Sequence, residues 1–482
     1  MHFIAVVCAL ALVVPSAGAQ QSQSGEAQNN QNQAAEPIPA YHSPFVTPSD
    51  DQEGNSQSLQ SDTRPLSGAQ YISTGNLTTN RSYWQPHLDF SGTADSNPQE
   101  GTSSSGWGAW GSFLAGVDIH HTAGTSEMLL SYTGGAMYSD EASVPDGTVQ
   151  KLGFAEKISL RRSVLSFLDQ LSYLPQASLG LGGVGGLPST GGSEDLGPGF
   201  VTDQSILSGQ GQNLENSSVV QLEAFLTPRS SVTISGGYSL LHFFDSNLVD
   251  SGNITARGGY NYQLTQHNTM ALQYSFNQFS YTNFNQSIDT HGIQGSFGRR
   301  VTGRLALQFA AGPELALFSG ATASTGGTGG TTGASNPSSA HVYWSLNSAM
   351  KYQYQRTSLG LTYLHGVAEG SGVFLGSLND TVTGTMTRRM SRTFSSGLSA
   401  GYARNSALQS AGGQLSGQNY DYWFAGASLA RPFSETLALT LSYQFQYQTS
   451  NSTFCIGGTC GTSVIRHLIT VGFSWHQRPL LF

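Results

Sequence analysis

The feature that most constrains this chain is an alternation of apolar and polar residues with a period of two, held over long segments. In Leu437-Ala438-Leu439-Thr440-Leu441-Ser442-Tyr443-Gln444-Phe445-Gln446-Tyr447, every odd position is apolar or aromatic and every even one is small or polar. Residues 256–264 repeat the pattern, with Tyr260, Tyr262 and Leu264 on one face and Arg257, Asn261 and Gln263 on the other. Val342, Trp344, Leu346, Met350 and Tyr352 likewise stand opposite His341, Asn347, Lys351 and Gln353. Successive side chains of a strand point to opposite faces, so each such segment is a strand between two different environments.

Two folds meet that description. In a soluble sandwich the apolar face is a core; in a transmembrane barrel it meets lipid and the polar face lines the lumen. Strand number and length favour the barrel. Eighteen segments, from 81–94 to 462–476, alternate in this way, and many exceed ten residues where soluble strands average about 5–6. The connections alternate too. Short turns fall at Arg161-Arg162, Pro228-Arg229-Ser230, Thr265-Gln266-His267, Val301-Thr302-Gly303, Gln355-Arg356, Ser391-Arg392 and 432–435, and longer polar loops at 175–216, 245–251, 319–339, 406–417 and 451–461. Short periplasmic turns and long extracellular loops are the plan of a bacterial outer-membrane barrel.

Charge follows the same plan. Only 10% of residues are charged, against about 25% in an ordinary soluble chain. Of the 20 basic residues, Arg161, Arg162, Arg229, Arg299, Arg300, Arg304, Arg356, Arg388, Arg389, Arg392 and Arg431 gather at the short-turn end, while acids such as Asp140, Glu141, Glu194, Asp195, Asp250 and Glu369 sit in the loops. Charges at the two rims cost little; charges in the lipid band cost more. A net charge of −9 offers no basic field for nucleic acid. No run of about 18 apolar residues follows residue 20, which excludes a helical transporter. The expected fold is therefore all-β, a closed antiparallel transmembrane β-barrel of about 18 strands over residues 79–482, with both termini periplasmic.

At the N-terminus, Phe3 to Val14 is an apolar run followed by Ala17-Gly18-Ala19, the form of a signal peptide cleaved after Ala19 (residues 1–19), although only His2 represents a positive n-region. Residues 20–78 are rich in Gln, Asn, Ser and Pro and read as a disordered periplasmic tail, because they hold too little apolar surface to offset the entropy of ordering. Cys8 leaves with the signal, and the mature chain keeps Cys455 and Cys460. Four intervening residues with two glycines permit a disulfide loop; a metal site would need two further ligands, and none is near in sequence.

The last strand carries Ile469, Val471, Phe473 and Trp475 on one face, and the chain ends in Phe482. A terminal aromatic resembles the signal read by the outer-membrane barrel-insertion machinery. Pro479 departs from it, and the effective signal then ends at Trp475. Residues 161–175 (Arg161-Arg162-Ser163 to Leu174-Pro175), Asn285-Gln286-Ser287-Ile288-Asp289-Thr290-His291, Gly303-Arg304-Leu305, Gly312-Pro313, Gly370-Ser371-Gly372-Val373 and Gly401-Tyr402-Ala403-Arg404-Asn405 together resemble acidobacterial outer-membrane β-barrel proteins, distantly similar to porin-like barrels found beside exopolysaccharide systems. The resemblance spans roughly residues 64–482. It implies a fold and a compartment, with lipid and lipopolysaccharide as surroundings, and it brings no substrate and no catalytic residues.

Enzymatic motifs are weak. Gly397-Leu398-Ser399-Ala400-Gly401 matches a nucleophile elbow but lies inside a strand with no helix after it. Gly180 to Gly185 matches G-x-G-x-x-G without the helix that would hold a phosphate. Asp118, His120 and His121 form the best metal-like group, yet adjacent histidines on a strand point to opposite faces. Asp289 with His291 is the candidate for a barrel hydrolase. No cofactor and no metal are expected.

The polar face carries the functional reading. Glu223, Arg257, Arg304, Glu314, Lys351, Gln444 and Gln446, with Gln294 and Asn347, are expected to line the lumen, and charges of both signs there would set a transverse field. Neutralising Arg257 and Arg304 together should shift selectivity toward cations. Loop 175–216 or 319–339 is the expected inward constriction. Asp169 falls on the lipid face, which requires either a register slip or a polar neighbour. The leading function is passive diffusion of small polar solutes or ions, the protein acting alone or as a homo-oligomer. The alternative is an accessory of exopolysaccharide export or surface attachment, with the tail docking a periplasmic partner.

Overall fold

The computed structural model describes residues 82–97, 106–140, 146–175, 212–244, 248–282, 286–320, 339–370, 374–391, 393–408, 418–451, 455–456, 459–461 and 463–482. The signal segment, the tail 20–78, most of loop 175–216 and nearly all of loop 319–339 lie outside them.

Eighteen long strands make the molecule: β1 Tyr83–Asp95, β2 Gly108–Ala123, β3 Ser126–Ser139, β4 Gly147–Ser159, β5 Ser163–Leu174, β6 Asn213–Thr227, β7 Ser230–Phe243, β8 Ser251–Gln263, β9 Asn268–Tyr281, β10 Gln286–Thr302, β11 Leu305–Gly320, β12 Ser339–Tyr354, β13 Thr357–Ala368, β14 Ser377–Arg389, β15 Ser395–Ala407, β16 Asn419–Pro432, β17 Leu437–Ser450 and β20 Ser463–His476. A two-residue ribbon, β18 Cys455–Ile456 with β19 Thr459–Cys460, stands in the last connection, and β21 Leu480–Leu481 follows β20. Each long strand pairs antiparallel with the next, and β20 returns to β1, with His87–Asp95 against Leu468–His476. The sheet is thus closed, and no strand edge is left to expose unpaired amides.

The eight connections from 124–125 through 433–436 that join β2 to β3, β4 to β5 and so on to β16–β17 are two to five residues long and share one rim. The longer connections share the other. Gly124, at φ 59°, supplies the left-handed backbone that the two-residue β2–β3 turn requires. At the turn rim Arg304 lies 4.8 Å over the Tyr354 ring, and Arg431 lies 5.1 Å from both Phe394 and Phe433. Aromatic rings and guanidinium groups interleaved in this way form the border of an apolar band.

Exposure divides along parity. On β1, Trp84 and Phe90 are exposed while His87, Thr93 and Asp95 are buried; on β17, Leu441 and Tyr443 are exposed while Gln444, Gln446 and Gln448 are buried. This inverts a soluble protein: large apolar side chains cover the outside and polar ones fill the inside. No helix of the described residues is long and apolar enough to cross a membrane; here the strands cross.

Asp169 keeps its outward parity and finds polar neighbours. It pairs with Ser218 in the β5–β6 ladder and accepts hydrogen bonds from Ser218 Oγ (2.7 Å) and Asn216 Nδ2 (3.1 Å). At the C-terminus, pairing stops at His476 and resumes when Leu481 and Leu480 meet Tyr83 and Trp84. Pro479 sits in the interruption, as a residue without an N–H must. Phe482 stacks on His121, with centroids 5.9 Å apart.

Candidate functional site

The interior of the barrel is where the sequence concentrates its chemistry. Glu223, Arg257, Glu314, Lys351, Gln444 and Gln446 all have inward parity, as do Gln294 and Asn347. Arg304 does not join them. It lies in the exposed 303–304 turn against Tyr354, a ring on the outer face, because the ladder between β10 and β11 shifts at Arg300/Thr302 and parity counted through the turn fails there. Arg300, one pleat inside the turn, is the inward arginine of that hairpin.

Hydrogen-bonded rows show how the charges meet. Arg257, Ser275, Gly292 and Glu314 stand side by side across β8–β11. Only a serine and a glycine separate the two charged side chains, so nothing bulky screens one from the other. Glu314 is buried, accepts hydrogen bonds from Thr290 and from the backbone of Val367, and feels the charge of Arg257. Around them runs a mesh of neutral contacts: Thr255 Oγ1 to Asn277 Oδ1 (3.0 Å), Asn277 Nδ2 to Thr290 Oγ1 (3.0 Å) and Gln294 Nε2 to Ser345 Oγ (2.6 Å). A second row places Arg300 and Lys351 on either side of Ala306. Glu223 accepts from Ser231 Oγ at 2.9 Å.

The opposite wall is acidic. On β1–β3, Asp89, Asp95, Asp118 and Glu127 face inward, with no lysine or arginine among the described residues of those strands. His87 lies flat over Gly116, where any Cβ would collide with it, and reaches Thr133 Oγ1 (3.1 Å) and Asp118 (3.4 Å). The arc β8–β14 carries Arg257, Arg300, Lys351 and Arg389 against the single acid Glu314. The two arcs centre on β2 and β11, nine steps apart in a ring of eighteen, so they confront each other across the lumen. Lys151, Lys157 and Glu215 fill the arc between, Lys157 directly opposite Glu127.

Among the described residues, Glu369, Gly370, Phe374, Leu375 and Gly376 reach into the lumen, and the sequence pattern did not point to them. Connection 369–376 joins β13 to β14. Tyr281 Oη, on β9, donates to the Glu369 carbonyl at 2.9 Å. Those residues are four strands apart, roughly 19 Å of wall at about 4.8 Å per strand, so the contact crosses the interior. Leu375 packs with Phe279, Tyr281, Ile288, Ala316 and Phe318, while its neighbour Phe374 packs with Ala403, Tyr420, Tyr422, Phe424 and Val464, stacking on Tyr420 at 5.6 Å. Every one of these wall residues has inward parity. Consecutive side chains thus grip two wall sectors centred six strands apart, β10 and β16, forming a clasp just inside the loop-side mouth. Gly370 (φ 97°) and Gly376 (φ 80°) supply the left-handed corners, and a Cβ on Gly376 would run into Ile288. The legible signal was two glycines bracketing a Phe-Leu pair. The expected constrictions at 175–216 and 319–339 lie largely outside the described residues.

A further feature unmarked in the sequence is the pair Arg466–Asp95. Nε and one Nη of Arg466 reach the same carboxylate oxygen at 2.8 and 2.7 Å, both residues are fully buried, and Trp110 lies 5.8 Å over the guanidinium. It spans β20 and β1 and fastens the closing seam.

The enzymatic candidates separate. His120 is inward and buried, whereas His121 is outward and held by Ser82 and Phe482. Asp289 and His291 share the outer face, His291 bonded to Tyr274 Oη at 2.8 Å. Ser399 lies within β15. Among the described residues no group of three metal-ligating side chains converges.

No protein-family model matches this chain, and no curated protein matches it by sequence. Its structure is similar to that of Pseudomonas aeruginosa OpdQ, at 11% identity and TM-score 0.40, covering 83% of this chain and 98% of that one. Acinetobacter baumannii OccAB3 is similar at 11% identity and TM-score 0.40 (82% and 99% covered), and the outer membrane protein OpdK of Pseudomonas aeruginosa at 10% and 0.38 (82% and 99%). The fold itself rests on the strand pairing of this chain: a closed, eighteen-stranded antiparallel β-barrel.

Proposed function

We propose that this chain is an outer-membrane pore that lets small polar solutes or ions diffuse through its lumen. The observation that carries the proposal is the confrontation of an acidic arc on β1–β3 with a basic arc on β8–β14 inside a closed barrel. Burying an unpaired charge is costly, so charged side chains on an interior wall are either paired, as Asp95 is with Arg466, or reach water or a polar solute. Barrels of about 16–18 strands are wide enough to leave an aqueous path. Opposed charges across such a path orient dipolar solutes and let ions of either sign pass, with selectivity set by the balance. Gln444, Gln446, Asn277 and Gln294 add neutral donors and acceptors that can exchange with the solute's own hydration.

Single-channel recording in a planar bilayer, on protein extracted folded, tests this. Stable conductance steps are expected. Replacing Arg257 and Lys351 by glutamine should move the reversal potential toward cations, while Arg304→Gln alone should leave it unchanged. Silence from folded protein, or equal shifts from all three substitutions, would refute the assignment.

A further inference from the structure

The outer wall carries a trough that the lumen does not explain. Gly92 on β1 and Gly111 on β2 are direct partners in the ladder, and both have outward parity. In the same row Val471 of β20 stands on one side and Tyr138 of β3 on the other. One pleat toward the turn rim, Phe90 and Phe113 close the floor, their rings 4.7 Å apart; one pleat toward the loop rim, Ala94 and Ala109 leave it open. The space is about 450 Å³, and its lining is almost wholly apolar.

Nothing inside the protein requires these glycines. A Cβ on Gly92 would meet no atom within 4 Å, and one on Gly111 only the Ser91 carbonyl at 3.7 Å. Glycine weakens a strand and is retained where something approaches the backbone closely. Other outward glycines with open space, such as Gly258, stand singly; Gly258 has Ile234 and Tyr274 beside it in the ladder. Only the opposed pair makes a channel two strands wide.

We infer that the trough holds an acyl chain of a membrane lipid from the leaflet on the loop side. The trough is continuous with the apolar belt that the barrel presents to hydrocarbon, and it follows the strands, which cross that belt at a tilt of about 35–45°. It is open toward the loop rim, where headgroups sit, and blocked at its inner end by two phenylalanines. Trp107, exposed and two residues above Ala109, stands at its mouth, where an indole borders the headgroup layer. The inference rests on the membrane placement of the barrel and is independent of whether the lumen conducts.

Native mass spectrometry of the full chain, extracted in mild detergent and supplied with vesicles of phosphatidylethanolamine and phosphatidylglycerol, tests it. The wild type should retain lipid through detergent washing. Gly92→Leu with Gly111→Leu should lose it, and Gly258→Leu should keep it. Should the leucine pair fail to fold, Gly92→Ala with Gly111→Ala adds only two Cβ atoms and should still weaken retention. Equal retention by trough variants and wild type would overturn the inference. So would a wild type that carries no lipid but forms an oligomer which the trough variants dissociate, since a second copy would then be the occupant.

Discussion

Truncating Phe374 to alanine asks whether the clasp closes the channel. The side chain is 3% exposed and stacks on Tyr420 at 5.6 Å. Removing a buried phenylalanine costs about 3–5 kcal/mol, and here the loss falls mainly on the docked position of the loop, since the barrel ladder does not depend on it. At about 1.4 kcal/mol per decade, docking weakens by roughly two to three and a half decades. A loop held by about 4 kcal/mol, undocked roughly one part in 10³, would become undocked between roughly a tenth and four fifths of the time. Tyr281→Phe removes one hydrogen bond to Glu369, about 1 kcal/mol, and should raise the undocked fraction only about fivefold. Single-channel recordings should therefore show larger or longer openings in Phe374→Ala and a much smaller change in Tyr281→Phe. If both variants fold and conduct as the wild type does, the clasp does not limit the path.

Breaking the seam pair by Asp95→Asn or Arg466→Met should destabilise the barrel by about 3–5 kcal/mol, because either change strands a buried polar partner, while removing both charges together should recover much of the loss; unfolding in denaturant, read by the heat-dependent gel shift, measures each. Gly312→Ala should cost more than about 1 kcal/mol, since its Cβ would run into the Ile293 carbonyl, whereas Gly258→Ala, with open space around it, should be neutral or mildly stabilising; the same assay separates them. Cys455 lies directly opposite Cys460 in the β18–β19 ribbon, so alkylation of the unreduced protein should find no free thiol, and labelling of both without reductant would exclude the disulfide.

The strands were legible because each divides two solvents, and that division writes itself into parity. The alternation from Leu437 to Tyr447 marks β17 almost to its ends, Leu437–Ser450. β6 begins four residues before its apolar signal, since Asn213-Leu214-Glu215-Asn216 is polar enough to pass for loop while still paired in the wall. Parity alone puts Arg257, Glu314 and Lys351 on the polar face of their strands. Parity failed at Arg304, where one irregular step in the ladder reverses the count. The clasp and the Arg466–Asp95 pair were hidden for a different reason. Both join segments distant along the chain, and no local pattern records which wall a loop will meet. Asp169 needed its neighbour strand, because Ser218 answers it from 49 positions away.

The order of the strands has a consequence in time. Seventeen of the eighteen pairings join strands consecutive along the barrel, and the remaining one joins residues 87–95 to 468–476. Hairpins can therefore form as the polypeptide becomes available, each closing a short loop, but the first strand keeps an unsatisfied edge until the final one arrives. Closing so long a loop adds only a logarithmic entropy penalty; the harder requirement is that the early edge survive the wait without pairing elsewhere. A chain stopped before Ser463 would hold seventeen correct strands and still be an open sheet with two sticky margins. Damage to the last strand should therefore appear as failed assembly, whereas equal damage to a middle hairpin should appear as lowered stability.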